Sequence, residues 1–275
     1  MLLILKPNKR LGQHFLISEH ALETIVGAMV LRPQDDVVEI GCGPGVLTAR
    51  WGALAGRVMA LEVDRGLVAV AKEVCRDLPN VSVLHEDALT ADPSSWVNGP
   101  FKVVGNLPYY ITSPLLARIV AWKWDLRLPV TETVVMVQRE VAARMTAPPG
   151  GSAYGSFSVF IQFWAEVSKV CHVPAGAFDP VPDVGSTVLR LVWRDRQAVS
   201  VEDAPAYFEI VHAAFGQRRK MLRQALKTHW PRGSAGVEEA CREAGVEATA
   251  RAEELDLKAF ARLTRAWKEA STSVR

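Results

Sequence analysis

The stretch VVEIGCGPG, residues 37–45, decides the fold. Val37, Val38 and Ile40 make a short apolar strand, and the chain then runs directly into glycines at 41, 43 and 45. Such a run lets the backbone pass close to a ligand and offers amides at the start of the following helical segment, Val46–Leu54. A dinucleotide fingerprint needs glycine at position 46, where this chain has Val, so that match fails. A tight strand-to-helix turn with no ligand is the plain alternative.

Working outward, the same alternation repeats. VMALEVD (58–64), VSVLHED (81–87), FKVVGN (101–106) and TVVMVQ (133–138) are further β-rich runs. Segments of helical length, Leu67–Asp77 and Ser113–Trp124, lie between them, and Ser18 can cap a helix that runs to about Leu31. Ser113 suits an N-cap and Pro114 the first helical position. Apolar strands alternating with helices predict an α/β fold with a parallel, doubly wound sheet. SFSVFIQFWAEV (156–167) and STVLRLVW (186–193) read as strands joined without a long helix, which predicts an antiparallel edge. After Trp193 the polar stretch RDRQAVSVED reads as a linker. Beyond it the segments 204–215, 217–228, 237–244 and 252–270 all read as helices. Two domains are expected, 1–195 and a small all-helical one at 196–275.

Two acids follow the glycine loop. Glu62 ends the second strand, where a carboxylate can accept both ribose hydroxyls of a nucleoside. Asp87 closes the third, placed to accept from an exocyclic adenine amine. Each acid alone reads as a solvated strand end. In this order, each delivers an acceptor to the carboxyl edge of the sheet, where open α/β sheets bind ligands. Asp64 reads as a loop-bracing residue.

Composition excludes several classes. The 275 residues are 49% hydrophobic and 23% charged, the balance of an ordinary globular protein. Cys42, Cys75, Cys171 and Cys241 are far apart, without metal-ligand spacing, and read as reduced thiols of a cytoplasmic protein. The six histidines are equally scattered, so no metal is expected. The apolar run Met1–Leu5 is too short for a signal-peptide core or a membrane span, so no membrane association is expected. Net charge is only +2, but Lys6, Lys9 and Arg10 cluster near one end. Arg218, Arg219, Lys220, Arg223 and Lys227 cluster near the other. Local clusters of this kind are the footprint of a nucleic-acid partner. On a helix, Arg219 and Arg223 would share a face, with Leu222 and Leu226 packed behind.

The glycine loop preceded by Glu39 resembles the first motif of class I S-adenosylmethionine-dependent methyltransferases. KRLGQHFL (9–16), EIGCGPGVLT (39–48), LEVD (61–64), HEDAL (85–89) and NLPYYITSP (106–114) together resemble the small-subunit rRNA adenine N6,N6-dimethyltransferase family. MVQREVAARM (136–145), YGSFSVFIQ (154–162), FDPVPDVGSTVLRL (178–191) and FGQRRKMLRQAL (215–226) extend the match over almost the whole chain. The resemblance implies a Rossmann-like sheet with an antiparallel edge, carrying an appended helical domain. It also implies S-adenosyl-L-methionine as cofactor, held by His14, Leu16, Gly41, Gly43, Gly45, Glu62, Asp87 and Asn106. Many relatives have Asn at position 14.

In that family the adenine N6 amine attacks a sulfonium methyl group. The amine lone pair is delocalised into the ring, so acceptors that hold its protons and favour a pyramidal nitrogen assist the reaction. The Asn106 side-chain oxygen and the Leu107 carbonyl are suited to this, with Pro108 fixing the turn. Tyr109 offers a face for the extruded base, and Phe178 is a candidate for the opposite face. Packing beside Pro180 and Pro182 is the alternative for Phe178. Arg218, Arg219, Lys220 and Arg223 are expected to meet RNA. The implied substrate is a pair of adjacent adenines in the 3′-terminal hairpin loop of small-subunit rRNA, presented by the immature small ribosomal subunit to a monomeric enzyme with a part in subunit biogenesis. The other readings are a large-subunit rRNA methyltransferase of the macrolide-resistance type, a DNA adenine methyltransferase, and a ribosome-assembly factor that keeps the fold without the chemistry.

Overall fold

The computed structural model describes residues 7–8, 12–230 and 232–272. Lys6, Lys9 and Arg10, the basic cluster near the amino end, lie outside the described residues. A two-residue strand β1 (Phe15–Leu16) comes first, then helix α1 (Glu19–Gly27). Ser18 caps that helix by accepting the Ala21 amide, and the helix stops four residues short of Leu31.

Strands β2 (Asp36–Ile40), β3 (Arg57–Glu62), β4 (Val81–His85), β5 (Phe101–Asn106) and β6 (Val130–Gln138) are joined through helices α2 (Val46–Gly52), α3 (Arg65–Val74) and α4 (Thr112–Trp124). After α5 (Arg139–Thr146) and α6 (Ser156–Trp164) come β7 (Ala165–Val173), β8 (Phe178–Asp179) and β9 (Ser186–Trp193). Seven strands form one sheet in the order β4-β3-β2-β5-β6-β9-β7, while β1 and β8 make a separate antiparallel ribbon. The pairs from β4 across to β6 are parallel, and β9 runs antiparallel to β6. Val38, Val58, Ala60, Val103, Val104 and Val135 are fully buried in the middle of this sheet, as expected for strands covered on both faces. Strand order reverses between β2 and β5, and that switch point opens a crevice at the carboxyl ends of the strands.

The described chain divides into two compact units, 1–142 with 167–193, and 143–166 with 194–275. The expected boundary after residue 195 put 143–166 in the first domain, but their packing groups them with the tail. The reason is α6. The side chains of 156–167 predict a strand, yet residues 156–164 are helical. Ser158 fixes the first turn by accepting the Gly155 amide and donating to the Arg144 carbonyl. The aromatic residues then pack inside the second unit, Phe160 5.3 Å from Phe208 and Phe163 4.9 Å from Tyr207 between ring centroids. That packing outweighs the β propensity of the Phe, Val and Ile side chains.

Helices α7 (Ala204–Gly216), α8 (Leu222–Ala225), α9 (Gly233–Glu243) and α10 (Leu257–Thr272) complete the second unit. The helix expected over 217–228 shrinks to the single turn of α8. Its amides find partners elsewhere: Leu222 donates to the Ala250 carbonyl, Arg223 to that of Ala248, and Met221 bridges to Arg251. The continuous basic stripe expected on that helix therefore does not form, although Leu222 and Leu226 are buried as anticipated. In α4, Ser113 is already inside the helix. Thr112 opens it, its hydroxyl donating to the Pro108 carbonyl after a 3-10 turn at Tyr109–Ile111.

Candidate active site

The crevice holds a cavity of roughly 1120 Å³, counting the open solvent at its mouth. Loops after successive strands line it. Gly41, Cys42, Gly43 and Pro44 follow β2, Glu62 ends β3, Asp87 follows β4, Asn106 ends β5, and Leu107 to Tyr109 follow it. His14 and Leu16 reach it from the first segment.

Gly41, Gly43 and Gly45 all sit at positive φ, at 71°, 56° and 85°. A residue with a side chain would be strained at each. The loop is locked by a carboxylate. Glu62, nearly buried, accepts the amides of Val63 and Asp64 at 2.9 and 3.0 Å through Oε1, and the Gly43 amide at 2.9 Å through Oε2. Asp64 caps α3 by accepting the Gly66 amide, the bracing role read for it in the sequence. Asp87 lies two residues beyond the end of β4, exposed, its Oδ1 accepting the Leu89 amide at 2.9 Å. Gly45 does not line the cavity. A Cβ there would stand 3.0 Å from the Ala71 Cα, so this glycine serves the close approach of α3, not a ligand.

Glu39 also lines the cavity, a residue that sequence reasoning used only as a motif marker. It is almost wholly buried, and the Thr48 hydroxyl donates to it at 2.6 Å. Burial pushes its carboxyl up to about 8, helped by the negative charge of Glu62 and opposed by the Thr48 bond. The Cys42 thiol beside it is driven far above its ordinary value, first by burial and then by Glu39, which makes it inert as a nucleophile.

The turn after β5 is built in three parts. The Asn106 amide nitrogen donates to the His14 carbonyl at 3.4 Å, which leaves its Oδ1 as an acceptor. The Leu107 amide is taken by the Met136 carbonyl at 3.1 Å, and no donor among the described residues meets the Leu107 carbonyl. Pro108, by contrast, has its carbonyl engaged by Ile111 and Thr112. Tyr109 is half-buried, its hydroxyl 2.8 Å from Ser186 Oγ. Burial raises its phenol, and the Ser186 bond opposes that shift. The His14 ring lies against Tyr109 at 5.9 Å between centroids and 24° between planes, and His14 Nδ1 donates to the Pro180 carbonyl at 2.7 Å.

Phe178 is not brought to the cavity. It pairs with Leu16 in the β1–β8 ribbon, where alternation turns Phe178 inward and leaves Asp179 exposed. The ring is buried in a core cluster with Leu22, Ile25 and Val188, a different setting from the alternative of packing beside Pro180 and Pro182, and it forms no opposite face for a base in the cavity.

The expected RNA contacts separate into two kinds in the second unit. Arg218 is tied to Glu253 at 3.0 Å and to the carbonyls of Ser152 and Tyr154, and Arg223 meets Glu238 at 3.4 Å. Arg219 and Lys220 are exposed, and no ion pair among the described residues involves them. Among the described residues, no cluster of His, Cys, Asp or Glu could hold a metal ion, and no helix is long and apolar enough to cross a membrane.

The family model described as ribosomal RNA adenine dimethylase matches residues 4–268. A protein of Pelotomaculum thermopropionicum named ribosomal RNA small subunit methyltransferase A is 40% identical, over 97% of this chain and 93% of its own length. Among solved structures, a dimethyladenosine transferase from Plasmodium falciparum shares the fold with a TM-score of 0.76 at 24% identity, covering 94% of this chain and 98% of its own. The 23S rRNA methyltransferase ErmE aligns with a TM-score of 0.70 at 28% identity, covering 92% of this chain and 99% of its own. On a match that runs almost from end to end, with a glycine loop and an Asn-Leu-Pro-Tyr turn meeting in one cavity, the chain belongs to the ribosomal RNA adenine dimethylase family.

Proposed function

We propose that this protein transfers methyl groups from S-adenosyl-L-methionine to N6 of two adjacent adenines in the 3′-terminal hairpin loop of small-subunit rRNA. It acts as a monomer on the immature small ribosomal subunit in the cytoplasm, and takes part in subunit biogenesis. The observation that carries the reading is the meeting of two acceptors, the Asn106 Oδ1 and the Leu107 carbonyl, with an aromatic ring and a nucleoside-sized acidic cradle in one cavity.

The residues present fit the cofactor. Gly41 and Gly43 keep the backbone low, and Glu62 Oε2 retains a lone pair beyond its Gly43 bond for a ribose hydroxyl. Asp87 Oδ2 is open to an exocyclic amine, since the Leu89 amide occupies Oδ1. When bound, the cofactor supplies an electrophilic methyl on a sulfonium. Asn106 Oδ1 and the Leu107 carbonyl hold the two N6 protons of adenine, turning the nitrogen lone pair out of the ring plane. Tyr109 stacks the base and keeps water away. The N6 proton becomes acidic as the new N–C bond forms, so no strong base is needed.

The small-subunit address is favoured over the large-subunit one by the 40% identity to an enzyme of the first kind against 28% to one of the second. Two measurements test the proposal. Labelled cofactor with immature small subunits, large-subunit rRNA or duplex DNA should label only the first. Asn106→Ala should slow single-turnover methylation at saturating RNA and cofactor by on the order of a hundredfold, the usual cost of one preorganised polar group. A rate within threefold of the unaltered protein would overturn the assigned role.

A further inference from the structure

Stacking a base requires only an aromatic face, so Phe at position 109 would serve. A tyrosine there places a hydroxyl in a half-buried position, which is costly unless the group is partnered. The partner is Ser186 Oγ at 2.8 Å, itself fully buried. Ser186 is the first residue of β9 and pairs in register with Gln138 of β6, so its hydroxyl is carried by the sheet. Tyr109, in contrast, sits in a short 3-10 turn with no ladder to hold it. A hydrogen bond across 77 residues thus joins the least regular part of the site to a rigid one.

The His14 imidazole, stacked on the same ring, restrains one of its faces. It is anchored in turn by the Pro180 carbonyl, six residues before Ser186. With its hydroxyl tied and one side limited, the ring keeps a single tilt. The adenine amine must meet Asn106 Oδ1 and the Leu107 carbonyl together, and small errors in base tilt are expensive when two acceptors have to be satisfied at once.

We propose that Ser186 is a positioning residue for methyl transfer: through the Tyr109 hydroxyl it sets the plane on which the target adenine stacks. This rests on the reading of Tyr109 as the base platform. The test is a double-mutant cycle of Ser186→Ala and Tyr109→Phe, with Tyr109→Ala and Ser186→Thr alongside. Single-turnover methylation is measured at saturating cofactor, together with quenching of 2-aminopurine placed at the target adenine of the RNA. Each single change should lower the rate roughly three- to tenfold, the range for one neutral hydrogen bond. The double variant should be no slower than the slower single one, cofactor affinity should not move, quenching should weaken, and Ser186→Thr should recover most of the rate. Rate losses that multiply in the double variant, or unchanged quenching in both singles, would overturn the proposal. If Ser186→Ala fails to fold, Tyr109→Phe removes the same bond from the accessible side, and a full rate there overturns it alone. An inactive Tyr109→Ala beside a fully active Tyr109→Phe sinks the tether and keeps the platform, whereas a fully active Tyr109→Ala sinks the platform itself.

Discussion

Removing the Glu62 carboxylate should do two separable things. In the structure this group accepts three backbone amides, from Gly43, Val63 and Asp64, and is the proposed acceptor for a ribose hydroxyl. Hydrogen bonds to a charged group contribute about 1.5–3 kcal/mol each. Loss of the ribose bond in Glu62→Ala therefore weakens cofactor binding by roughly tenfold to a hundredfold. The amides lose their acceptor as well, but water can reach a loop that borders an open cavity, so the folding cost stays near the lower end, about 1–3 kcal/mol. Glu62→Gln refines the test. Its oxygen can still serve Val63 and Asp64, but its amine would face the Gly43 N–H, so the loop is disturbed at one bond only. The assay is calorimetric titration with S-adenosylhomocysteine, run beside thermal unfolding of both variants. RNA affinity without cofactor should stay unchanged. Cofactor affinity within twofold of the unaltered protein in both variants would refute the reasoning, whatever happens to the melting temperature.

Glu39 gives a pH prediction. Its carboxyl at about 8 in the folded protein, against an ordinary 4.5, keeps a proton that the unfolded chain releases. Stability from this group is thus lost as pH rises from about 4.5 to 8, and Glu39→Gln should be the more stable protein at pH 8 by on the order of 2–4 kcal/mol, with little difference at pH 5. Urea unfolding at the two pH values checks this, and an equal effect at both would count against it. Arg218→Ala should cost about 1 kcal/mol of stability, because the guanidinium ties Glu253 and the 152–154 backbone together in a partly solvated setting. Arg219→Ala with Lys220→Ala should leave melting unchanged and flatten the slope of log affinity against log salt for small-subunit binding by about 2. An unaltered slope removes these two side chains from the RNA contact.

What the sequence displayed best was the part governed by local rules. The strand pattern of 37–41, 58–64 and 101–106 comes from continuous burial, and each run is a strand within a residue or two. The glycines at 41, 43 and 45 announced their backbone by having no alternative at positive φ. Where tertiary packing decides, local rules failed. Residues 156–164 carry strand-forming side chains but fold as a helix under the aromatic cluster of Tyr207 and Phe208. Residues 221–223 find partners at 248–251 where a continuous helix would have bonded within itself. The same limit applies in the site. Spacing shows that Asn106 and Tyr109 stand together, but cannot show that Ser186 is Tyr109's partner. It also cannot show that Phe178 turns inward, or that Gly45 faces a helix. A buried serine at the head of an apolar strand leaves no signature of its own.

The path of the backbone through α6 has a consequence for engineering. Because residues 143–166 pack with 194–275 while 167–193 return to the sheet, the second unit is entered twice. A transplant of the tail between related enzymes, cut once near 195, would carry half of an interior and leave Phe163 and Trp164 facing foreign aromatic neighbours. A working chimaera needs three crossovers, near 143, 167 and 194, so that α6 travels with the helices it packs against. The two pieces behave as a single heritable cassette, although the gene writes them apart.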